Sequence, residues 1–186
     1  MRALVIFESM FGDTRTVAEH IAAGIGAEFS AALADEAAGS PAEVSLLEVS
    51  QAPTAVPEGW DLLVLGAPTH AFGLSRPTTR EDAAKKTDAE LVSTGIGIRE
   101  WLAAASVTKG QPAAVFDTRM DHPKALVKLD HASHTMAKAL RKSGARLVAD
   151  AQAFIVVDTT GPLAPGEAER AHAWGRALAK AAADAQ

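Results

Sequence analysis

The residues with the most chemistry packed into one short stretch are Ser9, Gly12, Asp13 and Thr14, within Glu8-Ser9-Met10-Phe11-Gly12-Asp13-Thr14-Arg15. Hydroxyls and a flexible glycine in a turn that feeds a helix make a candidate anion site. The first N–H groups of a helix have no partner within it and carry the positive end of its dipole. Ser9, Thr14 and Thr16 add hydroxyl donors, and Gly12 lets the backbone come close to a bound group. A capped turn that binds nothing has the same residue pattern, so the motif alone leaves both readings open.

The elements on either side must hold that turn in place. Ala3-Leu4-Val5-Ile6-Phe7 is a short continuous apolar run, as expected of a strand covered on both faces. Val17, Ala18, Ile21, Ala22 and Ile25 recur at helical spacing, so the turn delivers the chain into a helix N-terminus. Ala27 to Ser40 reads as an extension of that helix or a loose connector, closing in a turn at Gly39-Ser40-Pro41. Val44 to Val49, Asp61 to Gly66, Ala113 to Phe116 and Val148 to Val157, the last broken near Asp150, read as further strands. Thr94 is placed to cap a helix carrying Ile98, Trp101 and Leu102. Leu126 to Leu140 and Pro165 to Ala183 complete the helices, the latter with Ala171, Trp174 and Leu178 on one face. Apolar strands that each end in a polar loop before a helix predict an α/β fold with a doubly wound parallel sheet. Ser75 to Ser93, with Arg76, Arg80, Lys85, Lys86 and Asp88 but almost no apolar anchor, reads as a long polar loop.

Composition narrows the function classes. A chain of 186 residues with 48% hydrophobic residues predicts one well-buried domain. No apolar stretch approaches the roughly 18 residues needed to cross a bilayer, and Glu8 interrupts the N-terminal run too early for a signal peptide, so a cytoplasmic protein is expected. The absence of cysteine excludes disulfides, thiolate metal sites and a cysteine nucleophile. A formal charge of -5 argues against nucleic acid and anionic membrane as partners, and allows an acidic docking face for a redox partner.

Two further loops follow apolar strands: Gly66-Ala67-Pro68-Thr69-His70-Ala71-Phe72-Gly73 and Asp117-Thr118-Arg119. In a doubly wound sheet, ligands sit at the C-terminal ends of the central strands. Three other readings of the polar residues are weaker. Asp130 and His134 at i, i+4, with His131, Asp121 and His122 nearby, suit a solvated helix face better than a metal site, which needs supporting partners as well. Asp117 as a phosphoacceptor would need an acidic pair after the first strand, where only Glu8 stands. Ser9, His70 and Asp117 as nucleophile, base and orienter lack any G-x-S-x-G elbow.

The first loop resembles the [ST]-x-[ST]-G-x-T phosphate-binding segment of flavodoxins, with Ser9, Gly12 and Thr14 at matching places, Asp13 at the variable one, and Phe11 where the family usually offers a hydroxyl. Gly66 to Gly73 resembles the G-x-P-T loop that lies along the flavin ring in flavodoxins and related quinone reductases. Asp117-Thr118-Arg119 stands where the family's second ring loop begins, and Gly161-Pro162-Leu163 before the last helix is also similar to flavodoxin-family sequences. The resemblance covers nearly the whole chain, most strongly its first half. It implies a five-stranded sheet of order 2-1-3-4-5 and FMN as cofactor. Ser9, Met10, Phe11, Gly12, Asp13, Thr14 and Arg15 would then surround the phosphate, and Pro68, Thr69, His70, Phe72, Gly73, Asp117, Thr118 and Arg119 would frame the ring. The sequence departs from the family in having no Tyr to stack on the flavin; Trp60 is placed to pack, leaving Phe72 and His70 as the nearest ring candidates. Arg15, Arg76 and Arg119 also make the surroundings more basic than those of low-potential flavodoxins. The implied activity is single-electron transfer with a protein redox partner. An FMN-dependent NAD(P)H or quinone reductase and a flavin-free binding module are the alternatives.

Overall fold

The computed structural model of the chain describes residues 1–35, 42–121 and 132–185, which build a parallel sheet with helices on both faces. In chain order the elements are β1 (Arg2–Phe7), α1 (Asp13–Asp35), β2 (Glu43–Glu48), a 3-10 turn (Val49–Gln51), β3 (Leu62–Pro68), α2 (Pro77–Ala84), α3 (Ile98–Ala104), β4 (Pro112–Met120), α4 (Ala132–Lys142), β5 (Arg146–Leu147), β6 (Gln152–Val156) and α5 (Glu167–Ala183). The strands run β2-β1-β3-β4, all parallel, and the position beyond β4 is shared. There β5 lies beside Pro112 and Ala113, and β6 beside Phe116 to Met120. The order is the predicted one, with a correction at the last strand: it is two segments, β5 and β6, and starts at Arg146 rather than Val148.

Two other expectations are corrected. The polar stretch from Ser75 to Ser93 contains helix α2, which starts with Pro77 in its first turn, where a missing N–H costs nothing. The Arg76 N–H donates to Thr79 Oγ1 at 2.9 Å at this helix start. Thr94 does not cap α3. That helix begins at Ile98, and its first amides are taken by carboxylates: Gly97 N–H donates to Glu100 Oε2 and Ile98 N–H to Glu8 Oε2, both at 2.8 Å. The expected turn at Gly39-Ser40-Pro41 and the first part of the predicted Leu126–Leu140 helix lie outside the described residues.

Strand alternation sorts the core into two layers. Leu4, Ile6, Leu63, Leu65, Ala113 and Val115 pack with Ile98 and Trp101 of α3 and Met136 and Leu140 of α4. Ala3, Val5, Phe7, Leu62, Val64, Ala114, Phe116 and Phe154 face α1 and α5, through Val17, Ile21, Ile25 and Phe29 of the first and Ala171, Leu178 and Ala182 of the second. Each fully buried Leu, Ile or Phe stabilises the fold by about 1.5–3 kcal/mol relative to exposure. On this second face the two helices meet backbone to backbone. A Cβ at Gly24 would lie 2.1 Å from the His172 carbonyl oxygen, and one at Gly175 would lie 2.2 Å from that of Ile21. Glu28 of α1 spans the same contact, pairing with Arg176 at 2.9 Å and Lys180 at 3.5 Å. No described helix is long and apolar enough to cross a membrane.

Candidate cofactor-binding site

The turn after β1 is shaped by its own hydrogen bonds. Gly12 sits at φ 109°, a conformation that glycine reaches without strain, and its N–H donates to Ser9 Oγ at 3.1 Å. The Ser9 N–H donates to Ser93 Oγ at 3.0 Å, and that hydroxyl donates in turn to Glu48 Oε1 at 2.7 Å. Val92 and Ser93 N–H groups donate to the Met10 and Ser9 carbonyls at 3.1 and 2.8 Å, so the end of the polar excursion braces the loop. Thr14 is buried and shares a 2.7 Å hydrogen bond with Thr118 at the end of β4. The Thr16 hydroxyl donates to the Gly12 carbonyl and is thereby spent on the turn.

The loop after β3 is built differently. The Thr69 N–H donates to the Thr118 carbonyl at 2.9 Å, and His70 and Gly73 exchange N–H···O bonds at 2.7 and 3.0 Å. Ala71 and Phe72 between them have φ 45° and 66°, the backbone of a two-residue hairpin turn that usually takes Asn or Gly. Held this way, Phe72 stands 46% exposed. Burial pushes the His70 imidazole below its ordinary pKa; Arg80 and Lys86 act in the same direction and the Thr79 backbone opposes them. A neutral imidazole at neutral pH follows.

These loops and α2 enclose a cavity of about 400 Å³ at the C-terminal ends of β1, β3 and β4. Ser9, Met10, Phe11, Asp13 and Thr14 line it from the first loop, Pro68, Thr69, His70 and Phe72 from the second, and Thr118 and Arg119 from the third. Gly12 and Gly73 shape their turns without lining it. Arg15 points away along α1, paired with Glu19 at 2.8 Å. Asp117 does not frame the cavity: it is fully buried and accepts the Ser133 N–H at 3.2 Å at the start of α4, because the period of two along β4 turns it opposite to Thr118. With Asp117 engaged there, Ser9, His70 and Asp117 form no relay. Trp60 packs, its ring under the Arg2 guanidinium at 4.3 Å. Among the described residues no group of His, Asp and Glu could hold a metal; Asp130, His131 and His122 lie outside them.

Sequence reasoning missed the wall supplied by α2, where Thr79, Asp82 and Ala83, followed by Lys86, face the cavity at i, i+3, i+4 and i+7. Pro77 and Thr79 marked the helix start, but a stripe that faces a cavity carries no apolar signature. It also missed Ala71, Met120, Val156 and Thr159.

The donor set suits a ligand with an anionic end and polar groups elsewhere. Ser9, Asp13 and Thr14 line the cavity where α1 begins, and Thr69, also in its lining, has a buried Oγ1 with no hydrogen-bond partner. Two carboxylates also line the cavity, Asp82 on the α2 wall and Asp13 in the first loop, where its charge opposes an anion. Burial pushes its carboxyl above the ordinary value, while its own amide and that of Leu163 pull it back.

No protein-family model matches the chain, and no curated protein matches it. Among solved structures it is similar to oxidised flavodoxin 1 from Bacillus cereus, with a TM-score of 0.63 and 20% identity over 97% of this chain and 98% of that one. A flavodoxin from the domain Archaea gives 0.61 and 14% over 98% and 99%. A flavodoxin, WrbA-like protein from Agrobacterium tumefaciens gives 0.59 and 17% over 100% and 99%. The fold is therefore flavodoxin-like along nearly its whole length, with the cavity at the strand ends where such sheets bind ligands.

Proposed function

We propose that the chain is an FMN-binding electron-transfer protein. The observation that carries this reading is a cavity lined both by Ser9 and Thr14 of the first loop and by Thr69 with its unpartnered hydroxyl, in a sheet whose solved relatives in fold include flavodoxins. Bound FMN would supply the redox chemistry, and the protein would position it and tune its potential. Ser9, Thr14 and the first-turn amides of α1 hold the phosphate. Pro68, Thr69, His70, Phe72, Thr118 and Arg119 frame the ring. An aromatic contact adds only about 1 kcal/mol beyond its burial, so the absence of Tyr weakens binding without abolishing it. A protein redox partner meets the rim, where Phe72 and Met120 are exposed.

A second reading, an FMN-dependent NAD(P)H or quinone reductase, is favoured by the neutral His70 and by Lys86 and Arg119, two cations that line the cavity together with Asp13 and Asp82. The deciding measurements are the colour of the purified protein and titration with FMN and riboflavin. FMN should bind more tightly than riboflavin. Thr14→Ala should lower FMN affinity by roughly ten- to a hundredfold and leave riboflavin unchanged, since a hydrogen bond to a charged group is worth about 1.5–3 kcal/mol. Equal affinity for the two ligands would sink the phosphate site. A carrier should be inert toward NADPH until a reductase is added, whereas steady turnover of NADPH and a quinone by the protein alone identifies the enzyme. Colourless protein that binds neither ligand leaves a flavin-free docking module.

A further inference from the structure

Helix α2 has very little to hold it. Ala83 is its only buried residue, and its cavity-facing stripe packs against no core. What anchors it is a cluster of polar side chains converging on Gly97, none of which lines the cavity. A Cβ at Gly97 would lie 2.6 Å from Ser75 Oγ, 2.7 Å from Glu8 Oε2 and 2.8 Å from Arg80 Nη1. Arg80 Nη1 donates to Ser75 Oγ at 2.9 Å and to Glu100 Oε2 at 3.2 Å. Also from α3, Arg99 donates to the Ser75 and Leu74 carbonyls at 2.8 and 2.6 Å, fixing the chain that leads into α2. Ser75 and Glu8 are fully buried, and the Arg80 side chain is only 12% exposed. Hydrogen bonds to charged groups in such surroundings are strong and directional.

We propose that Arg80 is a positioning residue: by tying α2 to Ser75 and to Glu100 of α3, it fixes Thr79, Asp82 and Ala83 as a wall of the cavity. This wall borders the His70 turn, where the Thr79 backbone meets the imidazole, and on the FMN reading that turn frames the ring, so the loss of the wall is felt there and not at the phosphate. The binding consequence rests on the FMN reading; the structural one does not.

The test is Arg80→Met, which keeps the length of the stem and removes the donors. In ligand-free protein, hydrogen exchange of the α2 amides should accelerate at least about tenfold while the α1 amides keep their protection. Affinities for FMN and riboflavin should both fall about tenfold, leaving their ratio unchanged, whereas Thr14→Ala changes the ratio. Unchanged exchange in α2 overturns the proposal, as does equal loss of protection in α1 and α2, which would mark general destabilisation. A fall confined to FMN also overturns it. If the parent protein binds no flavin, the cofactor reading fails and the exchange measurement still decides this one. Should Arg80→Met not fold, Glu100→Gln replaces it, with the same pattern expected at smaller amplitude and the same results overturning it.

Discussion

Under α1 and α5 the sheet is covered by apolar side chains, and the two helices touch through backbone at Gly24 and Gly175. On the opposite face α3 also packs on apolar side chains, but α2 is tied to α3 and to the end of β1 through a polar cluster of Glu8, Ser75, Arg80 and Glu100. The anion loop rises from the first face and the α2 wall from the second. A backbone contact tolerates no added atom but is indifferent to pH. A polar cluster tolerates small shape changes but depends on direction and protonation, so the two sides of one cavity should yield to different perturbations.

Gly175→Ala should break the first side most severely. The new methyl would press on the Ile21 carbonyl and force α1 from α5, costing about 3 kcal/mol, at the upper end of overpacking penalties. Urea denaturation checks this, and a loss below about 0.5 kcal/mol would show that the helices separate freely.

Glu8→Gln should come next and separates the faces by pH. Burial pushes the Glu8 carboxyl above its ordinary value, against bonds from Ser75 and the Ile98 amide and the charge of Arg80. The folded chain therefore holds this proton more tightly than the unfolded chain does. The resulting stability is complete below the unfolded pKa and is lost as pH rises through the folded one. Parent and variant should differ least near pH 4, and the variant should gain on the parent by pH 8; a pH-independent difference counts against a raised carboxyl. The gap in Gly175→Ala should stay flat over the same range.

The smallest effect is expected at Ala71→Gly. Relief of a positive φ should stabilise the protein by up to about 1 kcal/mol while loosening the turn that presents Phe72. No gain would mean that the turn stores no strain at this residue.

Legibility in the sequence followed the same division. β1, β3 and β4 are covered on both faces, so their apolar runs stood out, and the anion loop needed only hydroxyls, a glycine and a helix start. The α2 wall was hidden because Thr79, Asp82 and Lys86 face a cavity and so look like solvated residues. The period of two along β4 was visible, but which of Asp117 and Thr118 faces the cavity depended on Thr14, far away in the chain. Thr94 looked like a cap because the real acceptor for the Ile98 amide, Glu8, is 90 residues distant.

The division of the last strand also bears on how copies of this protein meet one another. A sheet edge is a template for strands of other molecules, and the two terminal positions here are β2 and the β5–β6 pair. Two residues and five, interrupted at 148–151, offer an incoming strand no continuous ladder. β2 does offer one, over Glu43 to Glu48, but two copies paired antiparallel would set Glu43 of each near Glu48 of the other. One edge is thus protected against self-association by geometry and the other by charge at Glu48, Glu43 being paired with Arg2 of its own chain at 2.7 Å, so acid, which removes that charge, should be the condition under which the protein first aggregates through its sheet.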